Sequence, residues 1–133
     1  MINIDELIKN SQKLTLLYVE DNQDSREITS MIFEDFFYKI IVAVDGEDAY
    51  KKYLQNNIDL IITDVNMPKM NGLELCKKIR ETDNEISLVV LSARSEDICL
   101  TESLKYGVSD YLFKPLNIDK LSSIIFKVTQ KNK

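Results

Sequence analysis

Five reactive side chains stand directly after four short hydrophobic runs of the sequence. Three are carboxylates, one is a hydroxyl and one is an amine: Glu20, Asp21, Asp64, Ser92 and Lys114. Each residue alone has a common structural use, as a helix cap, a loop hydroxyl or a lysine before a turn proline. Their shared placement after hydrophobic runs is much harder to obtain by chance, and it predicts one site assembled from several segments.

The residue types indicate the chemistry of that site. Carboxylates crowded together repel one another at neutral pH, so they need a proton or a cation. The chain has no histidine, which excludes histidine metal ligands, histidine general bases and a phosphohistidine on this chain. Oxygen ligands alone favour a hard cation, Mg²⁺ before Ca²⁺. A carboxylate beside Mg²⁺ with a lysine opposite is a suitable phosphoryl acceptor, because both cations neutralise charge on the transferred group.

Five hydrophobic runs are predicted to be the strands that position these residues. They occupy 14–19, 40–43, 60–63, 88–91 and 111–113. The runs are continuous rather than alternating, which is typical of strands covered on both faces. Segments with helical spacing separate them, and this alternation predicts an α/β fold with a parallel sheet and helices on both faces. Ligand sites in such sheets lie beyond the carboxyl ends of the strands, where the reactive residues fall.

Capping residues and hydrophobic spacing predict the helices. Asp24, Asp45 and Asn117 are predicted to begin the first, second and last of them. The predicted inward-facing residues are Ile28, Met31, Ile32 and Phe36 in the first helix, Ala49 and Tyr53 in the second, Leu75, Cys76 and Ile79 in the third, and Leu121, Ile124, Ile125 and Val128 in the last. A fourth helix, at 96–106, has no clean hydrophobic stripe, which is typical of a weakly held element.

Length and charge limit the other possibilities. A chain of 133 residues fits one domain. The net charge of -5 disfavours nucleic acid and anionic membrane surfaces as partners. The first eleven residues lack the features of a signal peptide and no run approaches the ~20 residues of a membrane span, so the cytoplasm is the expected location. We expect an N-terminal extension with a short helix at 1–13, one domain at 14–129 and a polar tail at 130–133.

Four motifs at the predicted strand ends resemble the signature of bacterial two-component response regulator receiver domains. They are Glu20-Asp21-Asn22, the nine residues DVNMPKMNG that begin at Asp64, Ser92-Ala93, and the six residues DYLFKP that begin at Asp110. The resemblance is specific because the four motifs occur in order over nearly the whole chain. It implies a flavodoxin-like fold, a doubly wound five-stranded parallel sheet with strand order 2-1-3-4-5.

The resemblance also implies a Mg²⁺ site and a phosphoacceptor. Asp64 would carry the phosphoryl group as an aspartyl phosphate and contribute to metal binding. Asp21 would bind Mg²⁺ directly, Glu20 would act mainly through water, and the backbone carbonyl of Asn66 would be a further ligand. Lys114 would contact the phosphoryl group.

Two more residues are implied to switch the domain. Ser92 would be the switch hydroxyl, and Tyr111 would be the aromatic residue whose ring turns inward once Ser92 moves. A half-buried strand tyrosine with a partner for its hydroxyl is the alternative explanation for Tyr111. The resemblance further implies a cis bond between Lys114 and Pro115, which costs little before proline.

The implied function is phosphorelay signalling rather than enzymatic turnover, with chemistry limited to self-catalysed phosphotransfer and autodephosphorylation. A sensor histidine kinase or a histidine phosphotransfer protein would supply the phosphohistidine. The surface formed by the fourth helix, the fifth strand and the fifth helix would then switch toward an output protein, or toward an output domain outside this chain. A phosphorylation-dependent homodimer is also compatible with the resemblance.

Two alternatives differ in class. A Mg²⁺-dependent phosphohydrolase with an aspartyl-phosphate intermediate would use a second aspartate two residues after the nucleophile, where this chain has Asn66. A receiver-like binding module would have lost its acceptor or its lysine, whereas Asp64 and Lys114 are both present. Both alternatives are therefore disfavoured.

Overall fold

The computed structural model describes residues 13–93 and 105–131, together with the isolated positions Asp5 and Lys9. Two predicted elements fall largely outside these residues: the short N-terminal helix with Ile4, Leu7 and Ile8, and the helix at 96–106, which includes Cys99. They stay predictions, and the helices described below are numbered without them.

Five parallel strands form one sheet with the order β2-β1-β3-β4-β5, as the resemblance implied. The strands are β1 (Thr15–Val19), β2 (Lys39–Ala43), β3 (Leu60–Asp64), β4 (Ser87–Ala93) and β5 (Asp110–Lys114). Every residue of β3 is buried, whereas the edge strands β2 and β5 are only partly so. Three of the reactive residues belong to the ends of strands rather than to the loops after them, because β3, β4 and β5 extend through Asp64, Ser92 and Lys114.

Helices cover both faces of the sheet, which confirms the predicted architecture. Within the described residues they are α1 (Gln23–Phe33), α2 (Gly46–Gln55), α3 (Gly72–Arg80) and α4 (Ile118–Lys131). One buried cluster joins the sheet to α1 and α4, and includes Leu16, Tyr18, Phe33, Leu112, Leu121 and Ile125. A second joins it to α2 and α3, and includes Leu17, Val19, Ala49, Leu75, Cys76 and Ile79. No helix in this part of the chain is long and apolar enough to cross a membrane.

The prediction for α1 was wrong in its cap and in two of its four inner residues, since Ile32 is half-buried and Phe36, just beyond the helix, is buried. Asn22, not Asp24, caps the helix, since its side chain accepts a hydrogen bond from the backbone of Ser25 at 2.9 Å. Ile28 and Met31 are 64% and 67% exposed. The inner face of the helix instead includes three half-buried polar residues and one buried aromatic residue at its end: Arg26, Thr29, Ser30 and Phe33. Large aromatic rings dominate burial there, and the ring of Phe33 meets that of Tyr18 edge-on at 5.1 Å.

The other predicted starts and stripes agree with the structure. Asp45 caps α2, and the side chain of Asn117 accepts from the backbone of Lys120 at the start of α4. The predicted inner residues of α3 and α4 are all buried. The sequence did not predict the reciprocal capping box of Asn71 and Glu74 that opens α3.

Candidate functional site

Three carboxylates meet at the carboxyl edge of the sheet. β1 and β3 are parallel neighbours, so the residues that follow or end them lie side by side. One carboxylate oxygen from each of Glu20, Asp21 and Asp64 lies within 4.8 Å of the others. Glu20 is 1% exposed and Asp64 is 7% exposed, whereas Asp21 lies at the surface. The cluster therefore has two buried members and one side open to solvent.

Lys114 reaches this cluster from the edge strand β5. Its Nζ lies 3.0 Å from Oε1 of Glu20 and 3.6 Å from Oδ1 of Asp64. The lysine and Glu20 are 94 positions apart in the sequence. The sheet order brings them together, because β1, β3, β4 and β5 end at the same edge.

Ser92 lies at the same edge but makes a different contact. Asp64 is paired in register with Leu91, so Ser92 stands one residue beyond it on β4. The Ser92 side chain is fully buried, and its Oγ donates to the carbonyl of Ala93 at 2.9 Å. The structure thus places Ser92 at the strand edge that carries the carboxylate cluster, with its hydroxyl donating to the backbone.

The pKa values of the two buried carboxyl groups are shifted in opposite directions. Burial, followed by the neighbouring Glu20 carboxylate, raises the pKa of Asp64 to about 7, and Lys114 offsets only part of this. Burial alone would raise the pKa of Glu20 as well, but the hydrogen bond from Lys114 outweighs it and the net pKa is lowered. Partial burial and Glu20 raise the pKa of Asp21. One lysine therefore does not compensate three carboxylates, and the site attracts further positive charge.

The loop after β3 is held by close backbone contacts. The amide of Val65 donates to Oδ1 of Asp64 at 3.0 Å, which fixes the carboxylate. The amide of Gly72 donates to the carbonyl of Val65 at 2.9 Å, and a Cβ at Gly72 would overlap the carbonyl of Asp64. Glycine is required at this point because the start of α3 lies directly against the end of β3.

Arg26 is a neighbour of the site that the sequence did not reveal. Its Nη1 donates to the backbone carbonyls of Glu20, at 2.8 Å, and Asp21, at 3.4 Å. The guanidinium of α1 thus holds the backbone of two residues whose side chains form the cluster. The sequence signal that could have identified Arg26 is a basic residue on the inner face of a helix that begins shortly after an acidic pair.

The remaining predicted site residues lie nearby without joining the cluster. Asn66 is exposed in the loop after Asp64, and a role for its carbonyl stays a prediction. The ring of Tyr111 lies 5.2 Å from that of Phe113. The bond between Lys114 and Pro115 is cis, as the resemblance implied.

The donor set fits a hard divalent cation. Within the described residues, this is the one group of three or more acidic, histidine or cysteine side chains close enough to share an ion. All its donors are oxygens, and the exposed Asp21 side leaves room for water and a ligand oxygen, as Mg²⁺ prefers.

Comparisons with known proteins agree on one family. The family model described as response regulator receiver domain matches residues 16–126. Response regulator ArlR of Staphylococcus haemolyticus is 31% identical over 116 residues, covering 87% of this chain and 52% of that protein. Histidine kinase P4 of Formosa agariphila is 40% identical over 119 residues, covering 87% of this chain and 8% of that protein. The chain thus spans about half the length, or far less, of these curated relatives.

Solved structures show the same likeness. The Francisella response regulator 1452 receiver domain is 30% identical with a TM-score of 0.80, and the match covers 91% of this chain and 100% of that one. A second match is the co-crystal structure of the Saccharomyces cerevisiae histidine phosphotransfer protein Ypd1 with the receiver domain of its response regulator Ssk1. The identity is 25% and the TM-score is 0.79, and the match covers 91% of this chain and 92% of that one.

Proposed function

We propose, for a chain that belongs to the response regulator receiver domain family, that Asp64 accepts a phosphoryl group from a partner phosphohistidine. Family membership establishes phosphorelay signalling as the class of function. The observation that carries the assignment to Asp64 is its position within the carboxylate cluster and 3.6 Å from Nζ of Lys114. A cation held by the carboxylate cluster and the Lys114 ammonium would together neutralise the negative charge of the phosphoryl group during transfer.

The transfer requires one bond to form and one to break. A carboxylate oxygen of Asp64 attacks phosphorus, the bond from phosphorus to the donor imidazole nitrogen breaks, and that nitrogen keeps the electron pair. The 133 residues contain no histidine, so the phosphohistidine would lie outside them, on a histidine kinase or a histidine phosphotransfer protein. Lys114, already beside Asp64, would stabilise negative charge on the phosphoryl oxygens.

Glu20, Asp21, Asp64 and the carbonyl of Asn66 are the groups that would hold Mg²⁺. The ion would supply charge neutralisation on the phosphoryl oxygens. Arg26 supports this arrangement, because it restrains the backbone from which the first two carboxylates extend.

Phosphorylation would bias a two-state surface. The new charge would draw the Ser92 hydroxyl and Lys114 toward the phosphoryl oxygens, and Tyr111 would follow Ser92 inward. The surface affected would comprise the predicted helix at 96–106, β5 and α4. The partner that binds this surface would be a downstream output protein, an output domain outside this chain or a second copy of the chain. We expect the protein to act in the cytoplasm.

Intact-mass measurement tests the proposal. We expect acetyl phosphate and Mg²⁺ to add one phosphate to the wild type, EDTA to prevent it, and Asp64→Asn to abolish it. Asp83→Asn is the matched control, since Asp83 lies apart from the cluster and should leave phosphate uptake intact. Turnover of a small phosphoester would support the phosphohydrolase alternative instead, and no adduct even after rapid quenching would support the binding-module alternative.

A further inference from the structure

Lys120 contacts two consecutive residues of β5 from the first turn of α4. Its Nζ lies 3.1 Å from Oδ1 of Asp110 and 5.1 Å from the centre of the Tyr111 ring. Successive side chains of a strand point to opposite faces of the sheet, and β5 is the last strand of the order. A side chain that meets both residues therefore reaches around the outer side of β5.

Asp110 fixes the position of the Lys120 ammonium. Burial alone would raise the pKa of Asp110, but hydrogen bonds from the Tyr111 amide and from Lys120 lower it, so the carboxylate is ionised at neutral pH. Its second oxygen, Oδ2, lies 3.4 Å from Nζ of Lys127. The carboxylate thus binds two lysines of α4, and only Lys120 of the two lies over the aromatic ring.

The Tyr111 ring has space beside it. The residue is only half-buried, and a surface cavity of about 250 Å³ adjoins it, lined in part by Phe113, Pro115, Asn117 and Lys120. A ring next to open volume is oriented by its few specific contacts rather than by close packing on all sides. The cation over its face is one of those contacts.

We propose that Lys120 is a positioning residue that holds the Tyr111 ring at the edge of the sheet and thereby opposes the switch. The inference rests on the proposed function, in which the ring turns inward when Asp64 is phosphorylated. We take the ring position that Lys120 contacts as the resting one; a contact that is lost when the ring turns inward stabilises only that state. Its strength therefore lowers the population of the switched state by the corresponding factor.

A purely structural role would give a different result. Lysine on an edge strand or beside it also discourages pairing with other chains, and the ion pair with Asp110 ties α4 to β5. Lys127 separates these roles, because it shares the carboxylate but not the ring. Lys120→Met removes the cation from the ring, Lys127→Met removes the other ion pair, and Lys120→Arg keeps a cation in reach of both partners.

The experiment follows the Tyr111 ring by NMR in protein with carbon-13-labelled tyrosine. The chain has six tyrosines, and Tyr111→Phe identifies the resonance. The probe is Mg²⁺ with beryllofluoride, which forms a tetrahedral phosphoryl mimic on a carboxylate. Without the probe, we expect Lys120→Met to move the resonance toward its probe-saturated position. When the probe is titrated, the concentration that half-saturates Lys120→Met should be roughly two- to fivefold lower than for the wild type. This factor corresponds to the loss of one cation–π contact at a partly exposed site.

Lys127→Met and Lys120→Arg should match the wild type in both measurements. The inference is overturned if the wild type responds to the probe while Lys120→Met leaves both the resonance and the half-saturation unchanged. It is equally overturned if Lys127→Met changes them as much, because the ion pair alone would then explain the effect. A wild type that takes up phosphate on Asp64 but whose Tyr111 resonance does not respond to Mg²⁺ and beryllofluoride would overturn the proposed switching by Tyr111, and the inference with it.

Discussion

Replacement of Asp64 by asparagine should stabilise the metal-free protein at alkaline pH. The carboxyl group of Asp64 is buried beside Glu20, and its pKa is raised to about 7 from an ordinary value of 3.8. A raised pKa means that the folded state disfavours the ionised carboxylate. An amide of nearly the same shape removes that charge and leaves Lys114 to neutralise Glu20.

The magnitude follows from the pKa difference. The difference between a pKa of about 7 in the folded protein and an ordinary pKa of 3.8 corresponds to about 4 kcal/mol by which ionised Asp64 destabilises the fold. The pKa of Asp64 already includes the attraction of Lys114, so the remaining cost is that of new hydrogen bonds for the introduced amide, about 1–3 kcal/mol. We therefore expect a net gain of about 1–3 kcal/mol in the free energy of unfolding.

The sign depends on pH. An acid with a raised folded-state pKa destabilises the fold as pH rises from its unfolded pKa, about 4, to its folded pKa, about 7. Near pH 4 the cost of the amide should dominate and Asp64→Asn should be less stable than the wild type; its relative stability should rise up to pH 7 and be constant above it.

Urea unfolding in EDTA between pH 5 and 8.5 measures this advantage, which should shift the midpoint by roughly 0.5–2 M at pH 8. Asp83→Asn is the control of opposite sign. Asp83 accepts a hydrogen bond from the Tyr53 hydroxyl at 2.8 Å, and hydrogen bonds lower its pKa despite partial burial. That variant should therefore be less stable than the wild type at pH 8. If Asp64→Asn gains no stability at pH 8, or gains equally at pH 5 and 8, the electrostatic account of the cluster is incorrect.

Of three further predictions, two concern the surroundings of the site and one concerns the hydrogen bond between Tyr53 and Asp83, which lies apart from it. Gly72→Ala should destabilise the fold by about 2 kcal/mol or more in urea, because its Cβ overlaps the backbone of Asp64. Tyr53→Phe should cost about 1 kcal/mol at pH 7, and the cost should disappear as pH falls below about 4, since Asp83 has a lowered pKa and then becomes protonated. Arg26→Met should weaken Mg²⁺ binding, measured by calorimetry, by roughly two- to tenfold, because two hydrogen bonds to the carbonyls after β1 are lost; unchanged affinity would show that the helix alone positions that loop.

The sequence predicted the strands well because their hydrophobic runs are continuous. It also predicted α2, α3 and α4, whose inner faces are hydrophobic at every turn. It failed for α1, where the inner face carries Arg26, Thr29 and Ser30 and where Ile28 and Met31 face solvent. Counting hydrophobic residues therefore identified Ile32 and Phe36 but also included two exposed residues, and the acidic Asp24 was taken for the cap in place of Asn22.

The shared strand edge of the predicted site residues could be derived from the sequence, but the distances between them could not. The rule for the carboxyl ends of parallel strands placed Asp64, Ser92 and Lys114 at one edge. Sequence could not show that Lys114 lies closer to Glu20 than to Asp64, and this difference separates the pKa values of the two carboxyl groups. The contact of Lys120 with Tyr111 was equally hidden, since it depends on how α4 passes the edge of β5.

The most direct test of the central claim is to locate the phosphoryl group after transfer from a phosphohistidine donor. The purified chain, with Mg²⁺, would be mixed with a phosphorylated histidine phosphotransfer protein, and the acyl phosphate would be reduced with borohydride and mapped by peptide mass spectrometry. Our account predicts modification of Asp64 alone, and none when EDTA is present. Efficient transfer to a different residue, or transfer that persists in Asp64→Asn, would contradict it.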